Sequence, residues 1–151
     1  MINRMISSIS NIVNTSADNL TIDSDAIFQS TSTNNIAIGL NALNSTGADS
    51  DNNIGIGVNA LTAITSGDDN IAIGLNALNS TGADSDGNIG IGVNALTTLT
   101  TGDVNVVIGH DAGSTMNAGG SNVLIGAYTG ANLAGGSQNT IVGYNAFNDA
   151  V

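Results

Sequence analysis

The sequence contains no cysteine, proline, tryptophan, lysine or glutamate. Each absence excludes a class of chemistry. Without cysteine there is no disulfide framework, thiolate nucleophile or cysteine-zinc site. Without lysine there is no Schiff base and no P-loop. One arginine (Arg4) and one histidine (His110) are the only basic side chains, against twelve aspartates, for a net charge of -11. Phosphate neutralisation needs Lys and Arg, so the balance excludes a nucleic-acid binder and an electrostatic hold on anionic lipid. No apolar run approaches the ~20 residues of a membrane span, and no stretch reads as a signal-peptide core, so membrane insertion is not expected. Aromatic side chains are scarce: Phe28, Tyr128, Tyr144 and Phe147.

What is present is repetition. Asparagine occurs 23 times and glycine 20 times, yet 41% of residues are hydrophobic, and they recur at fixed intervals. The segment 36–51, IAIGLNALNSTGADSD, returns letter for letter as 71–86. Each block divides into two related halves, sharing an Asn, three apolar or small residues, and a Gly. The Gly column is Gly39, Gly57, Gly74, Gly92, Gly109, Gly126 and Gly143. Four residues before each stands Asn35, Asn53, Asn70, Asn88, Asn105, Asn122 and Asn139. A spacing of 17–18 is too short for helical repeats or leucine-rich repeats. No stretch between glycines is long enough for a globular helix. The period fits one coil of an all-β parallel β-solenoid (a β-roll), of about seven coils. Its short strands, such as Ile36–Ile38, lie between turn-forming Asn and Gly.

Coils stacked at the strand spacing of ~4.8 Å would bring the Asn side chains into a hydrogen-bonded structural ladder and form a rod of roughly 30–35 Å. The Gly column is read as positions of positive φ or close backbone approach. Side chains on a strand alternate between faces. The flanking residues (Ile36 and Ile38, Ile71 and Ile73, Val106 and Ile108) are assigned to the coil interior. The central residues Ala37, Gly55, Ala72, Gly90, Val107, Leu124 and Ile141 then point outward. None is polar, so they are assigned to an interchain face in a homotrimer, intertwined or side by side. On this assignment Ile73→Asp abolishes folding and Val107→Asp breaks oligomers.

The chain divides into 1–30, an attachment or capping segment, and 31–151, the solenoid. In the first part Ile2, Met5, Ile6, Ile9, Ile12 and Val13 follow a helical spacing. Leu20–Ile22 reads as a strand, Asp23–Asp25 as a turn and Ala26–Phe28 as a divergent first coil. No capping segment follows Phe147, so the stack is expected to continue into another molecule or a longer chain.

The run Asn35-Ile36-Ala37-Ile38-Gly39, followed by Asn41-Ala42-Leu43, resembles the repeats of bacteriophage tail and head fibres. It is also similar to the heads of YadA-like trimeric autotransporter adhesins. The resemblance covers Asn34 to Phe147 and implies a parallel β-roll packed as three identical chains. The period is longer than in the adhesin heads, and no secretion signal, stalk or membrane barrel is read. A fibre made in the host cytoplasm and assembled onto a virion fits these differences, with a surface adhesin head as the alternative. Implied partners are other virion or fibre proteins, reached through the N-terminal segment, and a host-surface glycan or protein.

No enzymatic activity and no cofactor are expected. His110, beside Asp111, replaces an aliphatic residue of other coils and is read as a packing histidine or a ring of imidazoles holding an ion. Ser114 is close in sequence, but no pocket for a triad is apparent. Asp49 with Asp51 and Asp84 with Asp86 are candidate paired carboxylates for polysaccharide hydrolysis. Their occurrence in equivalent turns favours periodic structure instead. With Asp68 and Asp69 they could bind Ca²⁺ weakly. Thr97, Thr98, Thr100 and Thr101 suggest an ice-binding face, but no threonine column runs through every coil.

Overall fold

A computed structural model describes residues 34–44, 50–80 and 85–148. The N-terminal helix, strand, turn and first-coil readings, together with Asp49 and Asp84, lie outside the described residues. The fold is all-β. Seven three-residue strands stack in chain order into one parallel sheet. They are β1 (Ile36–Ile38), β2 (Ile54–Ile56), β3 (Ile71–Ile73), β4 (Ile89–Ile91), β5 (Val106–Ile108), β6 (Val123–Ile125) and β7 (Thr140–Val142). Each strand pairs residue for residue with the next, for example Ile36 with Ile54 and Ile38 with Ile56. Six crossovers between seven strands make a β-solenoid of about six turns. The sequence count of seven coils counts motifs, and the last motif starts a coil with no strand above it among the described residues.

The strands are short because a turn residue stands at each end. The residue after each strand is the repeat glycine, with φ from 125° to 146°. A Cβ on Gly39 would lie 2.6 Å from the Gly57 carbonyl oxygen, so both conformation and space require glycine. The residue two before each strand also has positive φ, as at Asn34, Asn52, Asp69 and Ser121. Asn and Asp tolerate that region best.

At the β5 level that turn position is Val104, with φ 58° and its side chain 61% exposed. A β-branched residue in the left-handed region costs about 1–2 kcal/mol. Val104→Asn should therefore raise stability by about 1 kcal/mol, seen as a higher urea midpoint at unchanged slope.

The interior corrects the assignment of faces. The central strand residues Ala72, Val107 and Leu124 are completely buried inside their own chain, and Gly55 and Gly90 are buried too. Ala37 and Ile141 are partly buried and pack against the same core. The set Ala37, Gly55, Ala72, Gly90, Val107, Leu124 and Ile141 is therefore core, not an interchain face. The flanking residues point outward: Ile38 is 44% and Ile73 37% exposed.

The physical reason is what sits across the coil. Leu43, Leu61, Leu78 and Leu96 enter the interior opposite the strands. Small central residues make room for them: a Cβ on Gly90 would lie 3.1 Å from Leu78 Cγ. Where the centre grows to Val107 and Leu124, the opposing position shrinks to Gly113 and Gly130. A Cβ on Gly113 would lie 3.3 Å from Leu124 Cδ1. The core thus keeps its volume from coil to coil. A second inner column, Ile64, Leu99, Met116 and Leu133, fills the far side.

Candidate functional site

The repeat asparagines form a ladder through the interior. Asn53, Asn70, Asn88, Asn105 and Asn122 are fully buried. Each amide oxygen accepts from the next coil: Asn105 Oδ1 receives the backbone N–H of Asn122 (3.1 Å) and its Nδ2 (2.9 Å). Each Nδ2 also donates to a backbone carbonyl near the end of its own coil. Examples are Asn53 to Gly67 (2.9 Å) and Asn122 to Gly136 (2.8 Å). One side chain therefore closes its own coil and joins it to its neighbour. Asn35 starts the series, its Nδ2 donating to Ser50 O and its Oδ1 accepting from Asn53 N–H. Asn139 donates to Asn122 Oδ1 from both N–H and Nδ2.

A second ladder was not read from the sequence. Asn41, Asn59, Asn76 and Asn94, two residues after each repeat glycine, pass hydrogen bonds along the outside at 3.1 Å. The series ends where Asn94 Nδ2 donates to Asp111 Oδ1 (2.8 Å). All five adopt positive φ. The constant Asn-Ala-Leu spacing was the available signal.

Three aspartates serve the backbone. Asp68 Oδ1 accepts the Asp51 N–H, Asp86 Oδ1 that of Asp68, and Asp103 Oδ1 that of Asp86. Asp51, Asp68, Asp86 and Asp103 thus occupy successive levels of one stack. Among the described residues no group of three His, Cys, Asp or Glu side chains is placed to hold a metal ion. Thr97, Thr98 and Thr100 spend their hydroxyls on carbonyls of Asn76, Ser114 and Asn117. Ser114 thus enters through its backbone carbonyl. His110 Nδ1 lies 2.9 Å from Asp111 Oδ2, with the imidazole half exposed. Its ring meets Tyr128 edge-on at 5.3 Å, and Tyr128 meets Tyr144 at 5.8 Å.

Two inner hydroxyls, Ser50 Oγ and Ser85 Oγ, are buried without a hydrogen-bond partner. Ser85→Ala removes an unsatisfied group while keeping the carbonyl that accepts from Asn70. Stability should rise by about 1 kcal/mol, measured as a shift in the denaturation midpoint.

The surface that stands out is the outer side of the sheet. Three columns face outward: the first strand residue, the third, and the residue after the glycine. Ile36, Ile38, Leu40, Val58, Ile73, Leu75, Ile125 and Val142 on this side are each more than a third exposed. The strand columns run six strand spacings, ~29 Å, along the stack. A contiguous row of exposed large apolar residues of this length is unusual on a monomer.

No family model, curated protein or solved structure matches the chain. Among the described residues no helix is long and apolar enough to cross a membrane.

Proposed function

We propose that the chain is a structural, non-enzymatic component of a fibre: a rigid β-solenoid shaft or spacer packed side by side as a homotrimer. The observation that carries this reading is the outward apolar face, continuous over seven strands. The polar groups of the repeat are committed to ladders, which is the economy of a scaffold. The fibre assignment itself, with virion attachment through residues 1–30 and contact with a host-surface glycan or protein, rests on the repeat's resemblance to phage fibres.

Light scattering tests the assembly. The expected mass is about three times the 14.9 kDa chain; a single-chain mass at micromolar concentration defeats the proposal. Immunogold imaging of intact particles then tests the location, with label on a fibre expected and label absent from particles counting against it.

A further inference from the structure

We propose that Asp86–Gly87 is a site of spontaneous modification, where isoaspartate forms in the unfolded chain and which the closed coil holds unreactive. This inference needs only the single chain and does not depend on assembly. It starts from an avoidance in the sequence. An Asn or Asp side chain closes fastest onto the next backbone nitrogen when that residue is glycine, because no Cβ obstructs the attack. The chain has 23 asparagines and 20 glycines, yet no Asn is followed by Gly. Each inner-ladder asparagine precedes Ile, Val or Thr, and Asn41, Asn59, Asn76 and Asn94 precede Ala. The β-branched residue that begins a strand thus also shields the amide beside it. Asp86–Gly87 is the one Asp-Gly pair in the sequence. The two blocks that match letter for letter up to Asp51 and Asp86 diverge at the next residue, Asn52 in the first and Gly87 in the second.

The reaction needs no co-reactant but water. The Gly87 nitrogen attacks Cγ of the protonated Asp86 carboxyl. The N–Cγ bond forms, a Cγ–O bond breaks, and the amide hydrogen leaves with the carboxyl hydroxyl as water. A second water then reopens the five-membered succinimide ring. Entry at Cγ restores aspartate. Entry at the main-chain carbonyl carbon leaves the backbone running through Cβ and Cγ. The mass is unchanged, but one atom is added to the main chain just before the buried Asn88.

In the folded chain the preceding coil holds both reacting groups. Gly87 N–H donates to Asp68 O (2.9 Å), and Asp86 Oδ1 accepts the Asp68 N–H (2.8 Å). The following coil holds the same residue from the other side: Asp86 N–H donates to Asp103 Oδ1 (3.0 Å), and Val104 N–H to Asp86 O (2.9 Å). Ring closure must first break both bonds to Asp68, one of them to a charged acceptor, which slows it about 30-fold or more. Space does not demand glycine here. A Cβ on Gly87 would meet only Val104 Cγ2, at 3.9 Å. Asn52 and Asp69 take the same turn position with φ of 59° and 58°, against 64° for Gly87. Gly87→Asn therefore keeps the fold and removes the reactive pair.

Endoproteinase Asp-N reads the product, because it cuts before aspartate and not before isoaspartate. The chain is incubated folded, and in urea sufficient to remove the far-ultraviolet β signal, at one pH and temperature, and is then digested. In urea the 86–102 peptide should give way to 84–102, and in the folded sample the same change should be about 30-fold slower or more. The Gly87→Asn chain should keep its cut before Asp86 in urea. Isomerised chain returned to buffer should show a lower denaturation midpoint, since the Asp68 N–H loses its acceptor and Asn88 is displaced from the ladder. Equal rates in the folded and unfolded samples overturn the protection. A cut before Asp86 that survives urea, or an equal loss in Gly87→Asn, overturns the site. An unchanged midpoint overturns the link to the ladder.

Discussion

Val107→Asp should leave the chain unfolded, whereas Ile73→Asp should fold and fail to assemble. Val107 is fully buried in β5, between the turn glycine Gly113 and the core leucines. A carboxylate there has no charged partner and no water. Keeping it ionised, or forcing it to protonate, costs about 5 kcal/mol or more, as much as the whole stability of many domains. Far-ultraviolet circular dichroism should show loss of the β signal, and the protein should aggregate. Ile73 sits in β3 on the other side of the sheet, 37% exposed. An aspartate there keeps its hydration in the single chain, so the spectrum should be retained. The mass should fall to that of one chain, because assembly would bury the charge. A folded Val107→Asp chain would refute the core described above. An assembled Ile73→Asp chain would refute the outward face as a seam.

Asn105→Ala should cost about 3–4 kcal/mol, and Asn41→Ala less than about 1. Both remove an amide from a ladder, and burial separates them. Asn105 Nδ2 donates to Asn88 Oδ1 and to Gly119 O, and its Oδ1 accepts twice from Asn122. Truncation strands the Gly119 carbonyl and the Asn122 N–H, each costing ~1–3 kcal/mol when water cannot replace the partner. Asn41, on the exposed rim, donates only to Asn59, and water substitutes there. Urea denaturation of the two variants measures the difference. Equal losses would mean that the inner ladder contributes no more than its solvated counterpart.

The repeat made the solenoid legible. Strand positions, strand order and register follow from the 17–18-residue spacing, because a parallel stack must place equivalent residues above one another. The asparagines and glycines were legible for the same reason. The facing of the strand was not read correctly, although the parity was there. Asn105 and Val107 are two residues apart and so share a face. Once the seven asparagines line the interior, the central strand residue must join them. The larger isoleucines pointed the other way only because bulk was equated with burial. The compensation between Gly90 and Leu78, or between Leu124 and Gly130, lies across the coil, and sequence distance hides it.

Sequence alone determined the period, the all-β class, the absence of thiol and lysine chemistry, and the columns of Asn and Gly. Those are one-dimensional properties: a repeat dictates what stacks on what. Only the tertiary structure decided which apolar face is inside, that Asp68, Asp86 and Asp103 accept backbone N–H groups, and that an aromatic column grows beside β5–β7. Each of these depends on which side chains the closing of a coil brings opposite one another, and a linear pattern apolar on both faces leaves that choice to packing.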